Sequence, residues 1–264
     1  MKELYDKVAL KCSRITTKSY STSFSLGIRC LEKSLRDPIC AIYGFVRFAD
    51  EIVDTFHEYD KSELLERFKN DTYQSIDEGI SLNPILHSFQ STVNTYNIDH
   101  QLIDQFLYSM EMDLTGLNYN QEEYERYILG SAEVVGLMCL KVFCNGDETQ
   151  YQELKPPAMK LGSAFQKVNF LRDLNADFVG MGRTYFPNLQ DMHEFDEESK
   201  KLIEEDIEKD FEEAYVGITK LPKSSRFGVY LAYVYYRSLF NKIKRTPSTH
   251  VVNSRIRIPV SYTH

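Results

Sequence analysis

The 264-residue sequence has no tryptophan. It also has no uninterrupted apolar tract of the roughly 20 residues needed to cross a bilayer. Its longest apolar stretch, residues 134–143, is broken by Lys141, so no transmembrane helix is predicted. The N-terminal MKELYDKVALKC is charged and amphipathic and lacks the apolar core of a signal peptide. The five cysteines, Cys12, Cys30, Cys40, Cys139 and Cys144, form no C-x-x-C pair, which argues against zinc and dithiol redox chemistry. Their odd number and loose spacing suit a reduced cytoplasmic compartment, where they serve as small apolar residues. There is no basic excess: 31 Lys and Arg face 39 Asp and Glu, a net charge of −8. Nucleic acid is therefore not an expected partner. A small anionic ligand would need a local basic site or a bridging cation. Strand patterns are almost missing, and no G-x-G-x-x-G follows a strand, so no Rossmann-type nicotinamide site is expected. No repeat, low-complexity tract or flexible linker divides the chain, which predicts one all-α domain over 1–264.

What is abundant is apolar and aromatic: 42% hydrophobic residues, with 18 Tyr and 16 Phe. A chain of this length can bury a core wide enough to hold a cavity. Apolar residues recur at helical spacing, as in Leu102, Phe106, Met110 and Leu114. The pattern predicts helices at 2–17, 38–55, 60–79, 84–96, 99–116, 121–144, 157–179, 197–220 and 225–245. Asp37-Pro38 and Asn83-Pro84 read as an N-cap followed by proline at the first helical position, and Pro156-Pro157 as the approach to another helix.

Two segments carry chemistry. YGFVRFADEIVD (43–54) holds Asp50 and Asp54, and QKVNFLRDLNAD (166–177) holds Asp173 and Asp177, both spaced D-x-x-x-D. On a helix such pairs share one face, about 6 Å apart along the axis. The carboxylates repel each other unless a cation sits between them, and Mg²⁺ suits an all-oxygen site that also takes phosphates. With 39 acids in 264 residues one such spacing means little. Both, however, sit in otherwise apolar helices, where unpaired carboxylates are costly, and each has an arginine beside it, Arg47 and Arg172. Carboxylates with arginines suit a metal-bridged diphosphate. The competing explanation is a pair of Arg–Asp networks that tie helices together.

At these motifs the sequence resembles the squalene/phytoene synthase family, and its bacterial phytoene synthases in particular. The resemblance spans nearly the whole chain, through SYSTSFSLG (19–27), YGFVRFADEIVD, YILGSAEVVGLM (127–138), LGSAFQKVNFLRDLNAD (161–177) with GRTYFP (182–187), and YLAYVYYRSLF (230–240). It implies an isoprenoid synthase-type helical fold with a central cavity. Asp50, Asp54, Asp173 and Asp177, assisted by Asn169, would hold Mg²⁺, with Mn²⁺ as the alternative ion. Ser21, Ser23, Gln166, Arg47 and Arg172 would contact substrate, and Arg183 would offset diphosphate charge. Tyr127 and Tyr185 would lie near the reacting carbons or the leaving group, and Tyr235 matches a tyrosine of the last long helix. For the serines helix capping competes with this role, and for the tyrosines core packing does. The small residues Gly130, Ser131, Ala132 and Gly136 suit either passage of a prenyl chain or close helix packing.

The reaction implied is head-to-head joining of two geranylgeranyl diphosphates to phytoene through a cyclopropyl diphosphate, without a nicotinamide cofactor. Alternatives are a C15-using dehydrosqualene, squalene or hydroxysqualene synthase, and a non-catalytic relative serving as a scaffold. Prenyl diphosphates are the implied partners. A hydrocarbon product further implies peripheral contact with the inner membrane. Oligomeric state is left open. Relatives often have Asp where Glu51 stands and an acid at Ala176, and they continue past SRIRIP (254–259) into a further basic helical segment, so the C-terminal tail is expected to be short.

Overall fold

The computed structural model describes residues 1–115, 119–181, 185–187 and 195–258, the side chains of 176–181 excepted; these residues form helices and no strand. In chain order the helices are α1 (Lys2–Tyr20), α2 (Thr22–Arg29), α3 (Lys33–Asp54), α4 (Lys61–Glu78), α5 (Pro84–Tyr96) and α6 (His100–Thr115). There follow α7 (Gln121–Ile128), a π-turn (Leu129–Glu133), α8 (Val134–Cys144), α9 (Glu148–Met181), α10 (Glu197–Lys220), α11 (Lys223–Lys244) and α12 (Ser248–Val251). The all-α expectation holds.

Local signals set most of the ends. Asp60, Asn83, Asn120 and Asp196 each accept a backbone N–H at a helix start, and Asn120 with Glu123 completes a capping box. Pro84 follows its cap as the sequence predicts.

Two proline readings need correction. Pro38 lies inside α3, and Pro156 and Pro157 lie inside α9. Asp37 does not cap; it pairs with Arg14 through bonds of 2.5 and 2.6 Å. Leu35, on the turn before Pro38, is buried and anchors the extra turn. In α9 the buried Tyr151 and Leu154 hold the helix upstream of the prolines, and Pro157 packs on α10 at Gly217, where a Cβ would lie 2.5 Å from the ring. Tertiary burial thus outweighs the missing backbone donors. Helix α2 is a further addition, and the expected 121–144 helix is interrupted by the π-turn.

Packing follows the apolar faces. Phe45 of α3 stacks on Phe89 of α5 at 3.9 Å and lies 5.5 Å from Phe68 of α4. A second cluster joins α7, α9, α10 and α11 around Phe170, Phe211 and Phe240. Helices α9 and α10 are also joined by charge: buried Asp210 accepts from Lys160 (2.9 Å), Ser163 (2.7 Å) and Lys167 (2.7 Å).

The segment Gln121–Cys144 is long enough, and over its most apolar 18 residues hydrophobic enough, to cross a membrane, which the break at Lys141 hides from the sequence reading. Here it is a core element, packed on α3, α6 and α9. Val134, Met138 and Val142 are fully buried, and Lys141 reaches Glu148 at 2.7 Å.

The π-turn lets the chain approach α6 closely, and Gly130 is where they meet. A Cβ there would stand 2.5 Å from the Gln105 carbonyl oxygen and 2.6 Å from Ser109 Cβ. Gly130→Ala is expected to cost about 1–3 kcal/mol through overpacking, read as a lower urea midpoint with an unchanged slope. An unchanged midpoint would mean the two helices separate freely.

Candidate active site

Six helices and the π-turn surround an apolar cavity of about 310 Å³. Its walls are α2 (Phe24, Gly27), α3 (Tyr43, Val46), the π-turn with α8 (Ser131 to Phe143), α9 (Leu154 to Asn169), and α10 with α11 (Gly217, Val229, Tyr236). The helical period explains the lining. Val135, Cys139 and Phe143 lie four residues apart on α8, and Leu154, Ala158 and Leu161 repeat similarly on α9. Small residues let these helices touch, since a Cβ on Gly162 would stand 2.7 Å from the Ala132 carbonyl oxygen. The two readings of the small-residue stretch divide. Ser131, Ala132 and Gly136 line the cavity, whereas Gly130 serves packing. Burial among apolar side chains pushes the Cys139 thiol up to about 12.

One end of the cavity is polar. Tyr43 and Val46 on α3 line it, and Asp50 continues that face seven and four residues on. Gln166 and Asn169 on α9 line it, and Asp173 continues that face at the same intervals. Each D-x-x-x-D helix therefore carries its first aspartate one turn beyond a residue that lines the cavity.

The charges there are closely coupled. Arg47 donates to both Asp50 and Glu51 and lies 4.4 Å over the Tyr20 ring. Its Nε is buried with no partner among the described residues. Burial, then repulsion from Asp54, pushes the Asp50 carboxyl up to about 6 despite Arg47. Arg172 donates to Asp173 Oδ2 at 2.5 Å, and Arg255 Nε lies 2.7 Å from Asp173 Oδ1. No three His, Cys, Asp or Glu side chains form a ready metal cluster among the described residues. The Asp50–Asp54 repulsion is nevertheless what a divalent cation would relieve, so the residues present fit such an ion.

A second polar centre lies in the aromatic core cluster of α7 and α9, and none of its residues lines the cavity. Tyr127 donates to Asp113 Oδ2 at 2.8 Å, and the Tyr185 hydroxyl lies 3.5 Å from Asp113 Oδ1. All three are buried. Burial, then the Asp113 carboxylate, raises the Tyr127 phenol well above its ordinary value. Phe170 stacks on Tyr185 at 4.2 Å and lies 5.9 Å from Tyr127.

The other expected residues fall as follows. Ser21 caps α2 by accepting from Phe24 N at 3.1 Å, and Ser23 Oγ is 3.4 Å from Ser21 Oγ. Tyr235 packs edge-on against Tyr236, which is the one that lines the cavity. Tyr236 donates to Asn169 Oδ1 at 3.3 Å and stacks on Phe165 at 3.9 Å. Arg183 and the Asp177 side chain lie outside the described residues. Sequence reasoning missed Asp113, Tyr43, Tyr236 and Arg255. Tyr43 opens the first aspartate motif and Arg255 sits in SRIRIP, so both had a nearby signal; Asp113 had none.

Both the sequence and the fold are similar to those of known proteins. The family model described as squalene/phytoene synthase matches residues 17–262. The chain is 28% identical to the chloroplastic phytoene synthase 1 of Solanum lycopersicum, over 99% of this chain and 68% of that one. It is 28% identical to the phytoene synthase of Arthrospira platensis, over 94% of this chain and 87% of that one. Among solved structures it is similar to a dehydrosqualene synthase in complex with ligand (TM-score 0.80, 20% identity, 95% of this chain and 96% of that one). It is also similar to a squalene synthase from Alicyclobacillus acidocaldarius (TM-score 0.79, 19% identity, 92% and 95%). At these identities the solved structures establish the fold, which is the helical isoprenoid synthase fold.

Proposed function

Since the chain belongs to the squalene/phytoene synthase family and is a prenyltransferase of it, we propose that it joins two C20 geranylgeranyl diphosphates head to head into phytoene. The observation that carries this reading is the apolar cavity lined by Tyr43 and Val46 of one D-x-x-x-D helix and by Gln166 and Asn169 of the other, with Asp50 and Asp173 each one turn beyond and Arg47 and Arg172 beside them.

Asp50, Asp54, Asp173 and Asp177, with Asn169, would hold divalent ions, Mg²⁺ by preference. The ions would supply positive charge to the departing diphosphate. Arg47 and Arg172 are now occupied by Asp50 and Asp173; once those carboxylates turn to a cation, both guanidinium groups can face the diphosphate. The C1–O bond of the donor breaks, the electron pair leaves with diphosphate, and an allylic cation remains. A double bond of the second chain attacks it and a proton is lost, giving a cyclopropyl diphosphate. A second ionisation, rearrangement and proton loss complete the hydrocarbon, with no reductant consumed. The cavity excludes water from these cations, and the faces of Phe165, Tyr236 and Tyr43 can stabilise them. Asp113 would hold Tyr127 and Tyr185 in position behind the residues that line the cavity.

The test supplies the protein with Mg²⁺ and either C15 or C20 diphosphate, with and without NADPH. A C40 hydrocarbon from C20 donor alone is expected. A C30 product from competing donors, a product that requires NADPH, or an alcohol product would move the assignment to the C15-using, squalene-type or hydroxysqualene-type reaction. Absence of any product in the presence of Mg²⁺ would favour a scaffold role.

A further inference from the structure

The α10–α11 corner presents a surface that the proposed chemistry does not use. A groove there is lined by Tyr215, Ile218, Lys223, Arg226, Phe227 and Tyr230. Phe227 is 61% exposed, Val216 56%, Tyr215 45% and Tyr230 40%. The rings form one array, with Tyr215 6.4 Å from Tyr230 and both within 6.2 Å of Tyr233. Exposing so much apolar ring surface in one place is unfavourable unless something covers it.

Ile218 lines this groove and also the cavity. Gly217, Leu221 and Val229, from the same corner, line the cavity with it. Gly228 seals the corner, because a Cβ there would lie 2.5 Å from Leu31 Cδ2 and 2.6 Å from the Gly27 carbonyl oxygen. The groove thus backs directly onto the apolar cavity wall.

Charge selects the occupant. The chain carries −8 overall, yet the groove lining holds two cations and no carboxylate. Arg226 donates to the Leu221 carbonyl oxygen at 2.9 and 2.6 Å, which fixes its guanidinium at the corner. Nearby Lys220 is neutralised by Glu153 at 2.8 Å. An acidic protein is repelled by an anionic bilayer except where a cationic face leads. Among the other exposed rings, Phe48 and Phe56 flank Asp50 and Asp54, whose carboxylates oppose such an approach. Tyr and Phe with basic neighbours match the lipid–water interface, where rings enter the acyl boundary and cations meet headgroup phosphates.

We propose that the α10–α11 corner docks on a bilayer bearing anionic headgroups, with Tyr215, Phe227 and Tyr230 in the interfacial layer and Lys223 and Arg226 on lipid phosphates. The benefit rests on the proposed reaction, since a hydrocarbon product leaves best where the cavity wall meets lipid. The docking itself is tested without turnover.

The full chain is co-sedimented with phosphatidylcholine vesicles, with or without phosphatidylglycerol. Binding is expected only with phosphatidylglycerol and should weaken as salt rises. Phe227→Ser and Lys223→Glu should each lower it about tenfold or more, while Leu202→Ser, exposed on the first half of α10, should not. Turnover of all three variants in detergent should equal that of the parent. Vesicle binding with no hydrocarbon formed would count against the reaction but for the docking. Equal binding by Phe227→Ser and the parent would overturn the docking. So would a concentration-dependent dimer that Phe227→Ser dissolves while vesicles are ignored, which would make the corner a contact between copies.

Discussion

Asp50→Ala and Asp173→Ala are expected to remain folded and to lose turnover about 1,000-fold or more, because leaving-group departure depends on positive charge that these carboxylates assemble. The two variants affect the neighbouring arginines differently. In Asp50→Ala, Arg47 keeps Glu51 as its partner; in Asp173→Ala, Arg172 and Arg255 lose the carboxylate they share. Product formation at saturating Mg²⁺, with circular dichroism as the folding control, checks this. Full activity in Asp50→Ala, or in the parent with EDTA, would remove the metal-assisted mechanism.

The same residue predicts a pH signature in the metal-free protein. Burial and Asp54 hold the Asp50 carboxyl near 6, above its ordinary 3.8. The folded state therefore binds this proton more tightly than the unfolded state. Between those values the group's contribution to stability falls as pH rises, and above about 6 the penalty is complete. Asp50→Asn lacks this penalty. Its stability relative to the parent should rise from pH 4 to pH 6 and then level off, and saturating Mg²⁺ should reverse the order.

What the sequence made legible was whatever depends on neighbours along one helix. The D-x-x-x-D pairs, the Asn83-Pro84 start and the α10 boundaries all follow from spacing and capping, which act within a turn or two. Features set by distant packing were not legible. Pro38 lies inside a helix because buried Leu35 rewards an extra turn before it, and Pro157 because Gly217 of α10 leaves room for its ring. Asp113 shows the limit most clearly. It stands in an ordinary amphipathic helix, and only the fold brings Tyr127 and Tyr185, fourteen and seventy-two residues away, to its two oxygens. Tyr235 and Tyr236 are a finer case, because adjacent helical residues point about 100° apart and the motif did not say which one faces the cavity.

Cys139→Phe is expected to shift donor preference from C20 towards C15 by about 10- to 200-fold, the scale of a single methylene in an apolar pocket. Helices α8 and α9 run past each other along the cavity, with Ala132 against Gly162 and Gly136 against Ala158. On α9 the lining extends from Asn169 at the aspartate end to Leu154, a separation of about 22 Å along the helix. Cys139 lies one heptad beyond Ala132, about 10 Å further from the aspartates, on the face that Val135 and Phe143 also present to the cavity. A phenyl group there fills space in the deep half and leaves the polar end untouched. A C15 chain ends sooner along this path than a C20 chain, so added bulk penalises the longer donor more. Since the ring enters a void, the melting temperature should hold or rise, which separates this outcome from general damage. Cys139→Ala, smaller than the parent side chain, should leave the preference in place. The readout is the ratio of C30 to C40 hydrocarbon formed from equimolar donors. An unchanged ratio in a folded, active Cys139→Phe protein would show that the chains do not reach this depth.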